Sequence, residues 1–207
     1  MFWIILGILI SYIIGSLPTA YIFGRLLRGI DIRKFGSGNV GATNALRVLG
    51  KRVGVTVLIL DMLKGFLVLV FLEPMIVKNT NLISEELLLI VLSLSCILGH
   101  SWTVFLKFKG GKGVATTLGV LFGLTIKLPE LKTILVIVVL TWLVVFVLTR
   151  IVSLASILSC IMLPIYMIIF KQSRILVLFG FILASYIILR HRSNIKRFLQ
   201  GKESTLF

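Results

Sequence analysis

Chemistry concentrates in three short segments of the chain. The first runs Phe35-Gly36-Ser37-Gly38-Asn39-Val40-Gly41-Ala42-Thr43-Asn44 and is followed by Arg47. Its three glycines allow backbone conformations in which N–H groups converge on an anion. Ser37, Asn39, Thr43 and Asn44 add short hydrogen-bonding groups, and Arg47 offers a planar fork suited to phosphate. A polar turn capping the next helix would use some of the same residue types. The density of donors beside a guanidinium favours phosphate binding.

The second segment, Phe108-Lys109-Gly110-Gly111-Lys112-Gly113-Val114-Ala115-Thr116-Thr117, leads directly into an apolar stretch. A glycine loop that opens a helix presents unpaired N–H groups and the positive end of the helix to an anion, and Lys112 supplies a charge. The Walker A spacing is absent, and Val114 has no magnesium-binding hydroxyl, so ATP hydrolysis is not indicated. A basic turn at a membrane edge is the alternative.

The third segment is the tail, Arg190-His191-Arg192-Ser193-Asn194-Ile195-Lys196-Arg197, continuing to Gly201-Lys202-Glu203. His191 and Asn194 are three apart, so a helix would put a titratable base and an amide on one face. A basic flank after a last membrane span accounts for the charges but not for this pairing.

The elements that must position these segments are membrane helices. Of 207 residues, 58% are hydrophobic and only 14% charged. Apolar stretches of about twenty residues recur, which matches a ~30 Å hydrocarbon core at ~1.5 Å per helical residue. Lipid offers backbone groups no partner, so these stretches should be helices, and runs such as 133–148 lack the alternation of a barrel strand. Seven apolar segments are expected, near 2–25, 53–76, 86–106, 113–127, 131–148, 151–170 and 174–190. The fourth is short, and Thr149 and Arg150 alone separate the fifth from the sixth. Segment 2–23 has neither a basic leader nor a cleavage site and reads as a permanent span. With no repeat or linker visible, residues 1–207 are expected to form a single domain.

Sixteen of the 22 basic residues fall in the first, third and fifth loops and the tail, and five in the loops between. Basic loops stay cytoplasmic. The N-terminus is therefore expected outside and the C-terminus inside, which needs an odd number of spans, seven or five. The fold class is an all-α polytopic bundle. A net charge of +15 in so apolar a chain reflects topogenesis and attraction to membrane lipids, at about 1 kcal/mol per surface Lys or Arg, and excludes nucleic acid as a partner.

Asp61 and Lys64, three apart in the second span, should pair on one helix face, either as a structural ion pair or as a wall of a site. His100, near the end of the third span, is interfacial or supports a site from behind. Cys96 and Cys160 lie alone in apolar stretches, where buried thiols are expected, with no metal site and no cofactor.

Taken together, these segments resemble the bacterial acyl-phosphate:glycerol-3-phosphate acyltransferases. The resemblance is carried, in the family's order, by Gly15-Ser16-Leu17-Pro18, 37–44, Asp61-Met62-Leu63-Lys64-Gly65, Gly99-His100, 108–116 and 191–197. The proline expected after His100 is missing from Ser101-Trp102-Thr103-Val104, which implies an altered local turn. The resemblance implies a bacterial plasma-membrane enzyme that moves a fatty acyl group from acyl phosphate to the 1-hydroxyl of glycerol-3-phosphate, with its site facing the cytoplasm. It implies that Gly110, Gly111, Lys112 and Gly113 bind glycerol-3-phosphate, and that Ser37, Arg47, His191 and Asn194 serve activity. It links Glu203 to the integrity of the enzyme.

Two phosphorylated substrates would account for two anion-binding loops. The His-x4-Asp dyad of soluble-type acyltransferases is absent, since Phe105 and Lys196 stand at the relevant positions after His100 and His191. No Ser-His-Asp order replaces it. Direct attack by the acceptor hydroxyl is expected, with its proton passing to His191 or to the donor phosphate. A transporter of a phosphorylated metabolite would share the spans, but it calls for an inverted repeat and for polar groups near the midplane.

Overall fold

The computed structural model describes residues 1–206, and among these every regular element is helical. Residues 1–127 and residues from 128 onward form two compact units, described in turn.

The first apolar segment is broken by Pro18. Helix α1 (Phe2–Ser16) ends at Leu17, whose backbone is extended as the residue before a proline prefers. Helix α2 (Thr19–Arg28) then follows and stops at Gly29, in the left-handed conformation that closes many helices. A short 3-10 turn (Ile32–Lys34) and helix α3 (Ala42–Leu49) complete the first loop region. Helix α4 (Lys51–Leu67) continues through a π turn (Val68–Leu72) into α5 (Glu73–Val77). Pro74 cannot donate to the preceding turn and crowds the carbonyl four residues back, and the widened π turn takes up that misfit. Helix α6 (Glu85–Ser101), with Ser84 capping its start, leads through a 3-10 turn (Val104–Leu106) and the glycine loop to α7 (Val114–Lys127).

Helix pairs in lipid gain little from the hydrophobic effect, so close contact and interhelical hydrogen bonds must hold them. Helices α1 and α6 show both. Ser11 Oγ donates to the Leu92 carbonyl at 2.6 Å, Ser95 Oγ to Ile8 at 2.8 Å and Ser16 Oγ to Gly99 at 3.3 Å. A Cβ on Gly15 or Gly99 would overlap the facing backbone. Helices α4 and α7 meet in the same way, with Gly65 against the Thr116 carbonyl and Gly119 against that of Met62. At the far end of this pair Lys127 Nζ lies 2.6 Å from the fully buried carboxylate of Glu73, which leaves neither charge alone in an apolar setting.

In the second unit α8 (Leu131–Thr149) and α9 (Val152–Ile169) are separate helices. The chain turns between them at Arg150, whose φ of 60° ends α8. Trp142 Nε1 donates to Ser156 Oγ at 3.1 Å, and Thr141 Oγ1 lies 2.9 Å from Tyr166 OH. Helix α10 (Arg174–Arg190) packs on α9 where Gly180 faces Pro164 and Met167. It bends by 60° at His191 into α11 (Arg192–Leu199).

All seven expected apolar segments are helical, but not of equal length. Five helical stretches are long and apolar enough to cross a membrane: Phe2–Arg28, Lys51–Val77, Glu85–Leu106, Leu131–Thr149 and Val152–Ile169. The bent pair Arg174–Arg190 and Arg192–Leu199 would make a sixth. Val114–Lys127 has 14 residues, a rise of roughly 21 Å, which falls short of the hydrocarbon thickness on its own.

Candidate active site

In the first unit, two loops rest on one apolar cluster made of Ala20, Ile32, Val40, Ala45, Leu49, Val57 and Leu106. Ile32 and Val40 bracket the Gly-Ser-Gly turn, and Leu106 precedes the glycine loop. The cluster therefore supports both loops from below.

The first loop is shaped by Asn44, whose side chain is fully buried. Asn44 Oδ1 accepts the Ser37 N–H at 2.8 Å, and Nδ2 donates to the carbonyls of Phe35 at 3.1 Å and Ile32 at 3.3 Å. Gly36 and Gly38 have φ of 57° and 70°, and a Cβ on Gly36 would overlap Asn44 Oδ1. Ser37 is exposed at the apex of this turn. Arg47 is exposed on α3, one turn after the half-buried Thr43 and on the same face. Asn39 is half-buried, with its amide beside Gly41. Of the candidates named for this loop, Asn44 turns its amide to the backbone, whereas Ser37 and Arg47 face outward.

A brace not foreseen in the sequence holds the start of this loop. Asp31 accepts the Arg33 N–H at 3.0 Å and pairs with the Arg33 guanidinium at 2.6 Å. Arg25 and Arg33 each lie 5.3 Å from the Tyr21 ring centroid. The Arg33 side chain, through its hydrogen bonds, holds the Asp31 carboxyl well below the usual carboxylate range, at about 2.

The glycine loop doubles back over the end of α6. Lys107 and Phe108 are both left-handed, with φ of 53° and 61°, a conformation that costs of order 1–3 kcal/mol for a residue with a side chain. The loop recovers hydrogen bonds from this bend. The Phe108 N–H donates to the Thr103 carbonyl at 2.9 Å, Gly110 to Ser101 at 3.1 Å and Gly111 to His100 at 3.1 Å. Two of the amides that the loop's composition aims at an anion thus serve its own backbone. At the opening of α7, Gly113 has φ of 87° and its carbonyl accepts the Thr117 N–H at 2.8 Å. Lys112 is half-buried beside it. Gly110 and Gly111 are required for another reason: a Cβ would overlap the His100 carbonyl at the first and His100 Nε2 at the second, where the Val40 carbonyl is also within 2.9 Å. Gly111 is therefore the point at which the two loops meet.

Behind the loop lies a buried polar network. Asp61 Oδ1 receives Lys64 Nζ at 2.6 Å and Thr19 Oγ1 at 2.6 Å, and Lys64 Nζ also donates to the Leu17 carbonyl at the α1–α2 break. The Asp61–Lys64 pair expected from its spacing is present. His100 Nδ1 stands 3.7 Å from Asp61 Oδ1.

In the second unit, His191 is 3% exposed and Asn194 6%. His191 Nδ1 lies 2.8 Å from the Ile187 carbonyl. A carbonyl only accepts, so this bond puts the proton on Nδ1 and makes Nε2 the basic nitrogen of the neutral ring. Asn194 Nδ2 donates to Glu203 Oε1 at 2.5 Å, Ser153 Oγ to the same oxygen at 2.7 Å, and Arg197 Nε to Oε2 at 2.7 Å. Burial pushes the Glu203 carboxyl up, but the bonds from Asn194, Ser153 and Arg197 outweigh it and hold it below its usual range. The Leu206 N–H closes the tail onto the Arg150 carbonyl at 2.9 Å. Among the described residues, no three His, Cys, Asp or Glu side chains are grouped to hold a metal ion.

Comparison with known proteins returns one family model, glycerol-3-phosphate acyltransferase, matching residues 5–201. Proteins named glycerol-3-phosphate acyltransferase from Thermoanaerobacter sp. (strain X514) and Nostoc sp. (strain PCC 7120) are 43% and 44% identical. Each alignment spans 98% of this chain, and 95% and 92% of the respective relatives. A crystal structure of PlsY, an integral membrane glycerol 3-phosphate acyltransferase in its glycerol 3-phosphate form, superposes with a TM-score of 0.84 at 37% identity. The match covers 98% of this chain and 94% of that one. The lysophosphatidic acid form of PlsY gives 0.81.

Proposed function

The chain belongs to the glycerol-3-phosphate acyltransferase family, and on that premise we propose that it transfers a fatty acyl group from acyl phosphate to the 1-hydroxyl of glycerol-3-phosphate. The products are lysophosphatidate and inorganic phosphate. That it is an integral membrane acyltransferase follows from the family and from the helices. The observation that carries the finer reading is the glycine loop, which is pinned by its own hydrogen bonds and opens α7 beside Lys112. A PlsY structure solved in a glycerol 3-phosphate form, with nearly the whole chain superposed, supports the same substrate here.

The acceptor phosphate is held at Gly110 to Gly113 by Lys112 and the N-terminus of α7, a helix end suited to a dianion. Ser37, Asn39, Thr43 and Arg47 bind the donor phosphate, and Asn44 keeps their loop in shape. The C1 oxygen attacks the acyl carbon directly. The new ester forms as the bond from acyl carbon to phosphate oxygen breaks, and phosphate leaves with that electron pair. The hydroxyl proton passes to His191 Nε2, the basic nitrogen in its tautomer, or to the departing phosphate. Because phosphate leaves readily, orientation carries much of the catalysis, up to ~7–11 kcal/mol in ideal cases.

Residues 1–207 act as one domain in a bacterial plasma membrane, with the N-terminus outside and the site facing the cytoplasm. The bias of basic residues toward the first loop and the tail supports this orientation. The test is transfer to labelled glycerol-3-phosphate by purified protein, offered acyl phosphate or acyl-CoA separately. Lysophosphatidate from acyl phosphate alone is expected, and product from acyl-CoA alone would overturn the donor.

A further inference from the structure

We propose that His100 and Asp61 are positioning residues for glycerol-3-phosphate, which hold the glycine loop in its binding shape. The inference rests on the reading of Gly110 to Gly113 as the acceptor's site.

The two rings of contact around His100 carry it. On one side, Nδ1 stands 3.7 Å from Asp61 Oδ1, beyond hydrogen-bond length but well within the reach of the carboxylate's field. On the other, Nε2 abuts Gly111 so closely that a Cβ there would overlap it, and the His100 carbonyl accepts the Gly111 N–H at 3.1 Å. The His100 side chain is 7% exposed and that of Asp61 1%, so neither faces bulk solvent. If Asp61 served only to neutralise Lys64, the bond between them and the Thr19 hydroxyl would suffice. Instead a third side chain joins the carboxylate to the underside of the loop.

The network also anchors that underside to three elements. Asp61 and Lys64 belong to α4, Thr19 opens α2, and Lys64 reaches the Leu17 carbonyl at the end of α1. A loop with Lys107 and Phe108 left-handed and three glycines after them has many alternative shapes, and the hydrogen bonds of Gly110 and Gly111 tie it to the end of α6. Contact with His100 fixes where Gly111 sits, and so fixes Lys112 next to it and the start of α7 at Val114. Neither His100 nor Asp61 touches the substrate in this scheme. They act through the loop, so their loss should weaken acceptor binding and leave the donor's binding alone.

The test is steady-state kinetics of the purified protein with each substrate varied at saturation of the other, on His100→Ala, His100→Asn, Thr19→Val and Lys112→Ala, with a melting curve for each. Expected for His100→Ala is a rise of about tenfold or more in KM for glycerol-3-phosphate, with donor KM and kcat within about threefold. His100→Asn, which keeps an amide on the Asp61 side, should recover part of that rise. Thr19→Val, which loosens Asp61 without touching the loop, should raise the same KM by a smaller factor and can be read even if His100→Ala does not fold. An unchanged acceptor KM in the His100 and Thr19 variants would overturn the proposal, as would losses of kcat that follow melting temperature with Asn no better than Ala. Lys112→Ala separates the two ideas. If it raises acceptor KM while the His100 variants do not, positioning alone fails; if it leaves acceptor KM unchanged, the loop is not the acceptor's site and the proposal fails with that reading.

Discussion

Asn194 donates its amide hydrogen to Glu203 across 2.5 Å, a carboxylate that Ser153 and Arg197 also reach. One carboxylate so closes the tail, ties it to the start of α9, and fixes which way Asn194 presents its carbonyl oxygen. Removing it strands three donors, two of them on buried side chains. Glu203→Ala should therefore lower stability by about 2–4 kcal/mol, from the ~1–3 kcal/mol cost of each buried unpaired group. Activity should fall with it. Glu203→Gln, which keeps one acceptor oxygen, should fall about halfway between, and melting of the detergent-solubilised protein would rank the three.

Asp31 gives an acid-side signature. Its folded carboxyl titrates at about 2 against an ordinary 3.8, so the charged form is favoured by folding. The stability it contributes is complete above about 4 and is lost as pH falls from there toward about 2. Glu203, also lowered, acts with the same sign from its own ordinary value downward. Melting temperature should decline through this acid range, and Asp31→Asn should flatten part of that decline while lowering stability near neutrality.

Asn44→Ala should open the first loop. Its amide accepts from the Ser37 N–H and donates to the Phe35 and Ile32 carbonyls, and all three bonds are lost with it. Misplacement of Ser37 should cost roughly a hundredfold in kcat/KM, the scale seen when a positioning contact is lost. Asn44→Asp, which keeps the acceptor and loses the donors, should be little better. Rates near the native enzyme in both variants would show that the loop's shape does not depend on this amide.

His191→Gln distinguishes the routes for the proton. A general base contributes typically 10²–10⁴-fold, so a fall of that size in kcat is expected if His191 takes the proton. Activity retained within about tenfold would assign the proton to the departing phosphate instead.

Much of this arrangement is legible in the sequence. The apolar segments appear as helices near their expected bounds, because a backbone in lipid has few choices. The Asp61–Lys64 pair followed from a spacing of three on a helix. What was not legible depends on contacts remote in sequence. Thr19 meets Asp61 across 42 positions and Ser153 meets Glu203 across 50, with no local pattern to announce either. Asn44 is a case of ambiguous chemistry: an amide after a glycine turn can face a ligand or its own loop, and only burial decides. The two-residue break at Thr149 and Arg150 is a sharp turn through a left-handed residue, which propensity does not assign to arginine. The amides of Gly110 and Gly111 looked available in the sequence because the fold-back onto Ser101 and His100 arises from two strained residues before them.

The central claim is that acyl transfer from acyl phosphate to glycerol-3-phosphate is direct, and phosphate release measures it. Purified protein mixed with acyl phosphate should release no phosphate above the uncatalysed rate until glycerol-3-phosphate is added. After that, one inorganic phosphate should appear for each lysophosphatidate formed, with no initial burst. A burst of phosphate matching the enzyme concentration in the absence of acceptor would reveal an acyl-enzyme, and lysophosphatidate without phosphate would contradict the donor itself.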